Sequence, residues 1–445
     1  MTAEASIPLG TASSTPPIKG TAITGDRYYS QRWAQAEWDH VWTKIWHIGG
    51  MAADLEEPGD FLTHNLGRES VVMLKQQDGS VRAFFNACKH RGYRLAWTET
   101  GGAPYLTCAY HGWRYAPDGT LIHAQDPDDF RGGTPCGRTR LEEIPCALWG
   151  GMVWFSMDRN AAPLTEWLGP AGRAMEQWGM PKMTRVMALK SDVPCNWKVI
   201  RDNFNESYHL PTLHPQIADI IDDALEDTLF EMHPDGHSRM IMRGLRPSGR
   251  YDSADVLEMP LAQALAYWDL DPKEFEGRAS KARQAIIVKK RELGAARGYA
   301  HYATMGDSEI VDYHHFTMFP NTTFTMWPDG VQILRSEPHP TDPERCIFDH
   351  WFLAHEIAGS DTVIGPMGPT PFEAVERETI IFGEKSLGEV ADQDLSVAIG
   401  QQQGLHSAGY TGGLLANQEK RIELFHERLN ALCGIHDQEQ NLPSY

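Results

Sequence analysis

The amino-acid sequence predicts an α+β chain of two domains: a small antiparallel β domain, then a larger one mixing helices with an antiparallel sheet. Three observations support this. The 445 residues are too many for one small core, so two domains are the natural division. From about 59 to 156, short β-rich runs alternate with turn signals. After residue 159, long helical stretches alternate with strands.

Residues 1–25 are rich in Ala, Ser, Thr, Gly and Pro without a continuous apolar run, and read as a mobile leader rather than a secretion signal. Residues 26–45 read as an N-terminal helix packing on the larger domain. Trp38, Val41, Trp42, Ile45 and Trp46 recur at i, i+3, i+4, i+7 and i+8, an amphipathic helix pattern. The small domain is expected over 46–160. Val71–Leu74 and Val81–Phe85 flank Asp78-Gly79, a hairpin signature. Trp113–Tyr115 and Thr120–Ile122 flank Pro117-Asp118-Gly119 in the same manner, and Gly150–Phe155 reads as a closing strand. The larger domain is expected over 161–445. Its 280–297 segment reads as a charged, solvated helix. His314–Trp327, Val331–Glu337 and Cys346–Ala354 read as a β-meander, and two helices close the chain, roughly 371–403 with breaks and 417–433.

Composition excludes several classes. Apolar and charged fractions of 41% and 22% are those of an ordinary globular protein. Forty basic against sixty acidic residues, a formal charge of −20, argue against nucleic acid as a partner. No run approaches the ~20 apolar residues that span a bilayer. Seven scattered cysteines suggest no disulfide framework, and the cytoplasm is the expected compartment.

Two constellations carry chemistry. Cys88-Lys89-His90 and Cys108-Ala109-Tyr110-His111 place two thiolates and two imidazoles on two short loops. Such a set can hold a zinc ion or a two-iron, two-sulfur cluster. Glu206, His209 and His214 form the second, and two histidines with a carboxylate suit a mononuclear Fe(II) centre with open positions. Residues five apart on an ideal helix lie about 140° apart, so His209 and His214 would not face one ion. Pro211 cannot donate to the Ser207 carbonyl, which predicts local unwinding or a π-type bulge between the histidines. A downstream carboxylate must complete the set, with Glu389, Asp392 and Asp394 as candidates.

The motifs Cys88-Lys89-His90-Arg91-Gly92 and Cys108-Ala109-Tyr110-His111-Gly112-Trp113 resemble the cluster-binding loops of the Rieske family. Asn196-Trp197-Lys198, Asp202-Asn203-Phe204 and Glu206-x-x-His209-x4-His214 resemble the iron-binding stretch of Rieske non-haem iron oxygenase catalytic (alpha) subunits, of the aromatic-ring-hydroxylating type. The resemblance implies a [2Fe-2S] cluster on Cys88, His90, Cys108 and His111, and a catalytic sheet wrapped around helices in helix-grip manner. It also implies a mononuclear iron on His209, His214 and Asp394, because the family's acidic ligand stands eight residues before a Gln in a stretch ending Gln-x-Gly, here Gln402 and Gly404. Glu206 would bridge His111 of one subunit to His209 of the next, with Asn203 as a further site residue. The family usually has Asp at this position, and Glu is known in members that attack carnitine- or choline-like amines.

The implied protein is a terminal oxygenase. It would hydroxylate or oxidatively N- or O-dealkylate a small organic compound, aromatic or of quaternary-amine type, using O2. Electrons would come from a ferredoxin or flavin reductase linked to NAD(P)H, since the chain has no nucleotide-binding glycine motif. Lys89, Arg91 and Arg94 beside the cluster could steer an acidic donor. The assembly would be a homotrimer, with or without separate small β subunits. Phe204, Leu213, Met318, Phe319 and Trp327 are the expected apolar pocket linings. A Rieske electron carrier without oxygenase activity and a zinc-stapled binding protein are the readings from other classes.

Overall fold

A computed structural model describes residues 22–250 and 255–435, so most of the expected 1–25 leader lies outside the described residues. The chain divides into two compact units, 36–169 with 180–182, and 1–35 with 170–179 and 183–445. The expected boundary at 45/46 thus falls inside the smaller unit.

The smaller unit is all antiparallel β. Its strands are β1 (Trp46–Met51), β2 (Asp60–Leu66), β3 (Glu69–Lys75), β4 (Val81–Phe85), β5 (Thr100–Gly102), β6 (Leu106–Thr107), β7 (Arg114–Tyr115), β8 (Leu121–His123), β9 (Glu143–Ile144), β10 (Cys146–Trp149) and β11 (Met152–Ser156). They form sheets in the orders β5–β2–β3–β4–β9, β1–β11–β10 and β6–β7–β8. Both hairpins form as expected: Val71 pairs with Phe85 around the Asp78-Gly79 turn, and Tyr115 pairs with Leu121 around 117–119. Alternation along β3 and β4 sends Val72, Leu74 and Phe84 into one core with Leu106, Trp113, Tyr115 and Leu121, and both motif cysteines are buried in it. The 38–46 helix is corrected. Helix α1 (Gln31–Glu37) ends in a π-helical turn at Trp38–Trp42, and Trp46 opens β1 instead. Ladder pairing of β1 with β11 claims residues 46–51, where Gly49 and Gly50 weaken any helix.

A helix interrupted at Gly169, α2 (Leu164–Met175), precedes the larger sheet. The sheet strands are β12 (Thr184–Val193), β13 (Ile221–Asp222), β14 (Leu229–Met232), β15 (Ser238–Gly244), β16 (Tyr313–Met318), β17 (Thr322–Trp327), β18 (Gly330–Pro338) and β19 (Cys346–Ala354). The hairpin β20 (Thr362–Gly365) and β21 (Gly368–Pro371) follows, then β22 (Glu378–Ile380), which adds parallel to β12. The sheet order is β13–β15–β16–β17–β18–β19–β12–β22, with β14 paired to β15. Helices α3 (Trp197–Asn203), α4 (Leu210–Leu213), α5 (Met259–Tyr267), α6 (Ala282–Leu293), α7 (Glu389–Gly404) and α8 (Lys420–Cys433) complete the unit, with α3 packing on β18, β19 and α7.

Three readings change here. The 314–327 run is two strands, β16 and β17, split by a turn. The expected 371–403 helix begins only at Glu389, because residues 378–380 are drawn into the ladder with β12. On α6 the charged face is not wholly solvated: Lys290 is buried, its ammonium donating to the Ile310 carbonyl at 2.6 Å and lying 5.0 Å from the Tyr302 ring. Burial pulls it down to about 8. Among the described residues no helix is long and apolar enough to cross a membrane.

Candidate functional site

The two cysteine loops share one backbone design. The Cys88 N–H donates to the Tyr93 carbonyl and the Gly92 N–H to the Cys88 carbonyl, at 2.8 and 2.9 Å. In the second loop Cys108 N–H meets Trp113 O and Gly112 N–H meets Cys108 O, again at 2.8 and 2.9 Å. Each loop turns back through a glycine in the left-handed region, φ +73° at Gly92 and +67° at Gly112, where a Cβ is costly. This is why each cysteine is followed by Gly at the same interval. The His90 and His111 rings lie 4.6 Å apart, and both Nδ1 atoms are buried without a hydrogen-bond partner among the described residues. Such orphaned nitrogens are costly unless a ligand takes them. The Tyr115 hydroxyl lies 3.3 Å from Cys88 Sγ and accepts the Lys89 N–H at 3.0 Å. Burial holds the Cys88 thiol above its ordinary value. The basic residues of the loop are already partnered: Lys89 pairs with Glu142 at 2.8 Å, Arg91 covers the Tyr110 ring, and Arg94 covers Trp97.

Among the described residues, His209, His214 and Asp394 bring their ligand atoms within 4.8 Å of one another.

The second site is built by breaking a helix. Helix α3 stops at Asn203, and a single turn, α4, follows with His209 as its N-cap, Pro211 at its second position and His214 as its C-cap. His214 leaves helical geometry at φ −125°, ψ 53°. The distortion predicted from the Pro211 spacing is therefore an unwinding at both ends, not a π-bulge. It lets the two imidazoles meet edge to face, 5.1 Å between centroids. His214 Nε2 lies 2.8 Å and His209 Nε2 3.5 Å from Asp394 Oδ1. The opposite ring nitrogens are held from outside. His214 Nδ1 contacts Gln393 Oε1 at 2.7 Å, and His209 Nδ1 contacts Glu206 Oε1. With both Nδ1 atoms donating, both Nε2 lone pairs face Asp394. Burial pulls His209 down, yet Glu206 and Asp394 outweigh it and raise its affinity for a proton. The site favours positive charge, as a metal position should.

Of the acidic candidates, Asp394 points inward from α7 and is 3% exposed. Asp392 is turned to its own loop, accepting the Leu387 N–H at 2.8 Å and the Ser386 hydroxyl at 2.5 Å. Asp394, Ala398 and Gln402 share the buried stripe of α7, and Gln402 Oε1 accepts the Asn196 N–H ahead of α3 at 2.9 Å. The eight-residue Asp-to-Gln spacing thus ties the acid and the histidine segment to one frame.

Both ligand segments open into a cavity of about 220 Å³. Of the five residues expected to line it, Phe204 and Trp327 face it and Leu213, Met318 and Phe319 do not; Asn203 faces it too. Met318 lies on the opposite face of β16 from His315, and Phe319 is buried against Phe425. Sheet residues that the sequence did not single out, Met240, Tyr313, His315, Thr325, Gln332 and His350, also face the cavity. Period-two reading of β15 to β19, anchored on Trp327, would have found most of them.

The family described as ring hydroxylating alpha subunit (catalytic domain) matches residues 180–435, and the Rieske [2Fe-2S] domain matches 45–138. The glycine betaine monooxygenase oxygenase subunit of Pseudomonas aeruginosa is 26% identical over 324 residues, 68% of this chain and 70% of that one. The benzene 1,2-dioxygenase subunit alpha of Pseudomonas putida is 29% identical over 322 residues, 69% of this chain and 65% of that one. A quaternary ammonium Rieske monooxygenase structure superposes with a TM-score of 0.63 at 19% identity, covering 93% of this chain and 95% of that chain. A naphthalene 1,2-dioxygenase structure gives 0.60 at 20% identity, covering 90% and 89%.

Proposed function

The chain belongs to the Rieske-type ring-hydroxylating oxygenase alpha subunits, and from that premise we propose which residues hold its two iron centres, how they communicate and what they oxidise. The protein is the terminal oxygenase component of a multicomponent system, an oxidoreductase using O2 that needs an electron donor and an organic substrate. When bound, its [2Fe-2S] cluster supplies single electrons and its mononuclear iron supplies dioxygen reduction for insertion into substrate.

Cys88 and Cys108 hold one iron of the cluster, and the unpartnered nitrogens of His90 and His111 hold the other. His209, His214 and Asp394 hold the mononuclear iron. Gln393 and Glu206 keep the two imidazoles in the tautomer whose Nε2 is free to ligate. Phe204, Trp327 and the methionines of β15 exclude water from the cavity. Glu206 connects His209 to a cluster histidine, His111, of a neighbouring copy in a homotrimer, and a ferredoxin or flavin reductase is the donor. Asn203, whose buried side-chain nitrogen has no partner among the described residues, contributes a donor to the cavity.

The observation that carries this is the convergence of His209, His214 and Asp394 from two distant segments on a single apolar cavity. A second reading, monooxygenation of a quaternary amine, is favoured by Glu206 in place of Asp and by the glycine betaine relative. The test is reductant-dependent oxygen uptake with a ferredoxin and reductase over a panel of arenes, aryl amides, methoxyarenes and quaternary amines. Asp394→Ala should abolish product while Asp392→Asn retains it; equal losses would overturn the ligand assignment.

A further inference from the structure

The sheet wall of the cavity carries hydrogen-bonding capacity beyond the contacts its residues already make, such as His315 Nδ1 with an Arg421 guanidinium nitrogen at 3.2 Å. His315, Thr325 and Gln332 stand opposite one another in register on β16, β17 and β18, so their side chains form one row on one face. Gln332 Nε2 lies 2.7 Å from His350 Nε2 on the next strand. That single contact leaves the Gln332 amide with further donor and acceptor capacity, and among the described residues no group hydrogen-bonds the hydroxyls of Thr325 or Tyr313. Polar groups in an otherwise apolar wall are costly unless a ligand meets them.

All of these groups are neutral. Burial pulls His350 down to about 4 and His315 well below its ordinary range, and it pushes Tyr313 up to about 12. The two carboxylates of the cavity are occupied: Glu206 accepts the Tyr208 and His209 N–H groups, and Asp394 faces the imidazoles. No Lys or Arg lines the cavity among the described residues. Uncharged donors and acceptors along the sheet wall suit a neutral polar group, which they can meet without stranding a buried charge.

We infer that the cavity selects an uncharged organic molecule bearing a hydrogen-bonding oxygen or nitrogen substituent, gripped by Gln332, Thr325 and Tyr313. The inference rests on the proposed function only for the location of the substrate. Gln332 is the specificity-determining residue, with His350 positioning its amide.

The test is anaerobic titration calorimetry of the iron-replete holoenzyme with benzamide, anisole, toluene, glycine betaine and carnitine. Benzamide or anisole should bind at least about tenfold more tightly than toluene, as one or two good hydrogen bonds allow. Gln332→Leu should shrink that ratio about 5- to 10-fold with toluene affinity kept, and Thr325→Val should act in the same direction more weakly. Near-ultraviolet dichroism and the visible spectrum check that both variants fold. Tighter binding of glycine betaine or carnitine than of benzamide and anisole, an unchanged ratio in both variants, or no binding by any neutral member would overturn the inference. Binding is read without turnover, so a failed oxygenase assay beside intact selectivity would sink the proposed function alone.

Discussion

Replacing Glu206 by Gln probes how the outer contacts of the mononuclear site control metal binding. Glu206 uses one carboxylate oxygen for the His209 ring and the other for the Tyr208 and His209 backbone N–H groups, the last at 3.1 Å. Every one of these is a donor facing an anion. A Gln must turn its NH2 either toward His209 Nδ1–H or toward the backbone pair, so one donor always meets another. If the ring side loses, the proton moves to Nε2, the atom that must ligate. A hydrogen bond to a charged group contributes about 1.5–3 kcal/mol, and loss of such an outer partner typically lowers metal affinity about 10- to 100-fold. The assay is competition of the mononuclear iron against a graded chelator, with the cluster's visible absorbance as an internal control. The expected result is loss of the third iron at chelator levels that wild type tolerates, with the cluster untouched. Wild-type retention in E206Q would refute the tautomer argument.

Two further outcomes follow from the same geometry. Co-expressing a Cys108→Ser chain with an Asp394→Ala chain should restore activity to about a quarter of wild type, since half the junctions offer a cluster and half of those an iron. Complete inactivity would place the electron path within one chain. Acid should weaken the fold through buried neutral histidines: His350 and His426 are each held down to about 4, by burial foremost. Their folded values lie below the unfolded 6.5, so the unfolded state binds more protons between pH 6.5 and 4. Stability is full above that window and is lost as pH falls through it, by about 2 kcal/mol per histidine at pH 5. Urea midpoints at pH 7 and 5 measure this, and equal midpoints would contradict it.

What the sequence revealed, and what it hid, follows from how locally each feature is encoded. The cluster loops were legible because one short stretch contains ligands, spacing and the turn glycines together. The histidine segment was legible for the same reason, with Pro211 marking the break. Asp394 could not be separated from Asp392 by chemistry; only the buried stripe shared with Gln402 distinguishes them in space. The cavity wall was mostly hidden, since neutral residues such as Thr325 and Gln332 gain meaning only when four strands align in register. Trp38 to Trp46 misled because burial at helical spacing arises equally from a helix running into a strand.

Two distinct iron centres on one chain are the core of the account, and metal and sulfide counting on anaerobically purified protein addresses them most directly. Wild type should hold about three irons and two acid-labile sulfides per chain, and Asp394→Ala about two of each. Zinc in place of iron, or an unchanged iron count in Asp394→Ala, would contradict it.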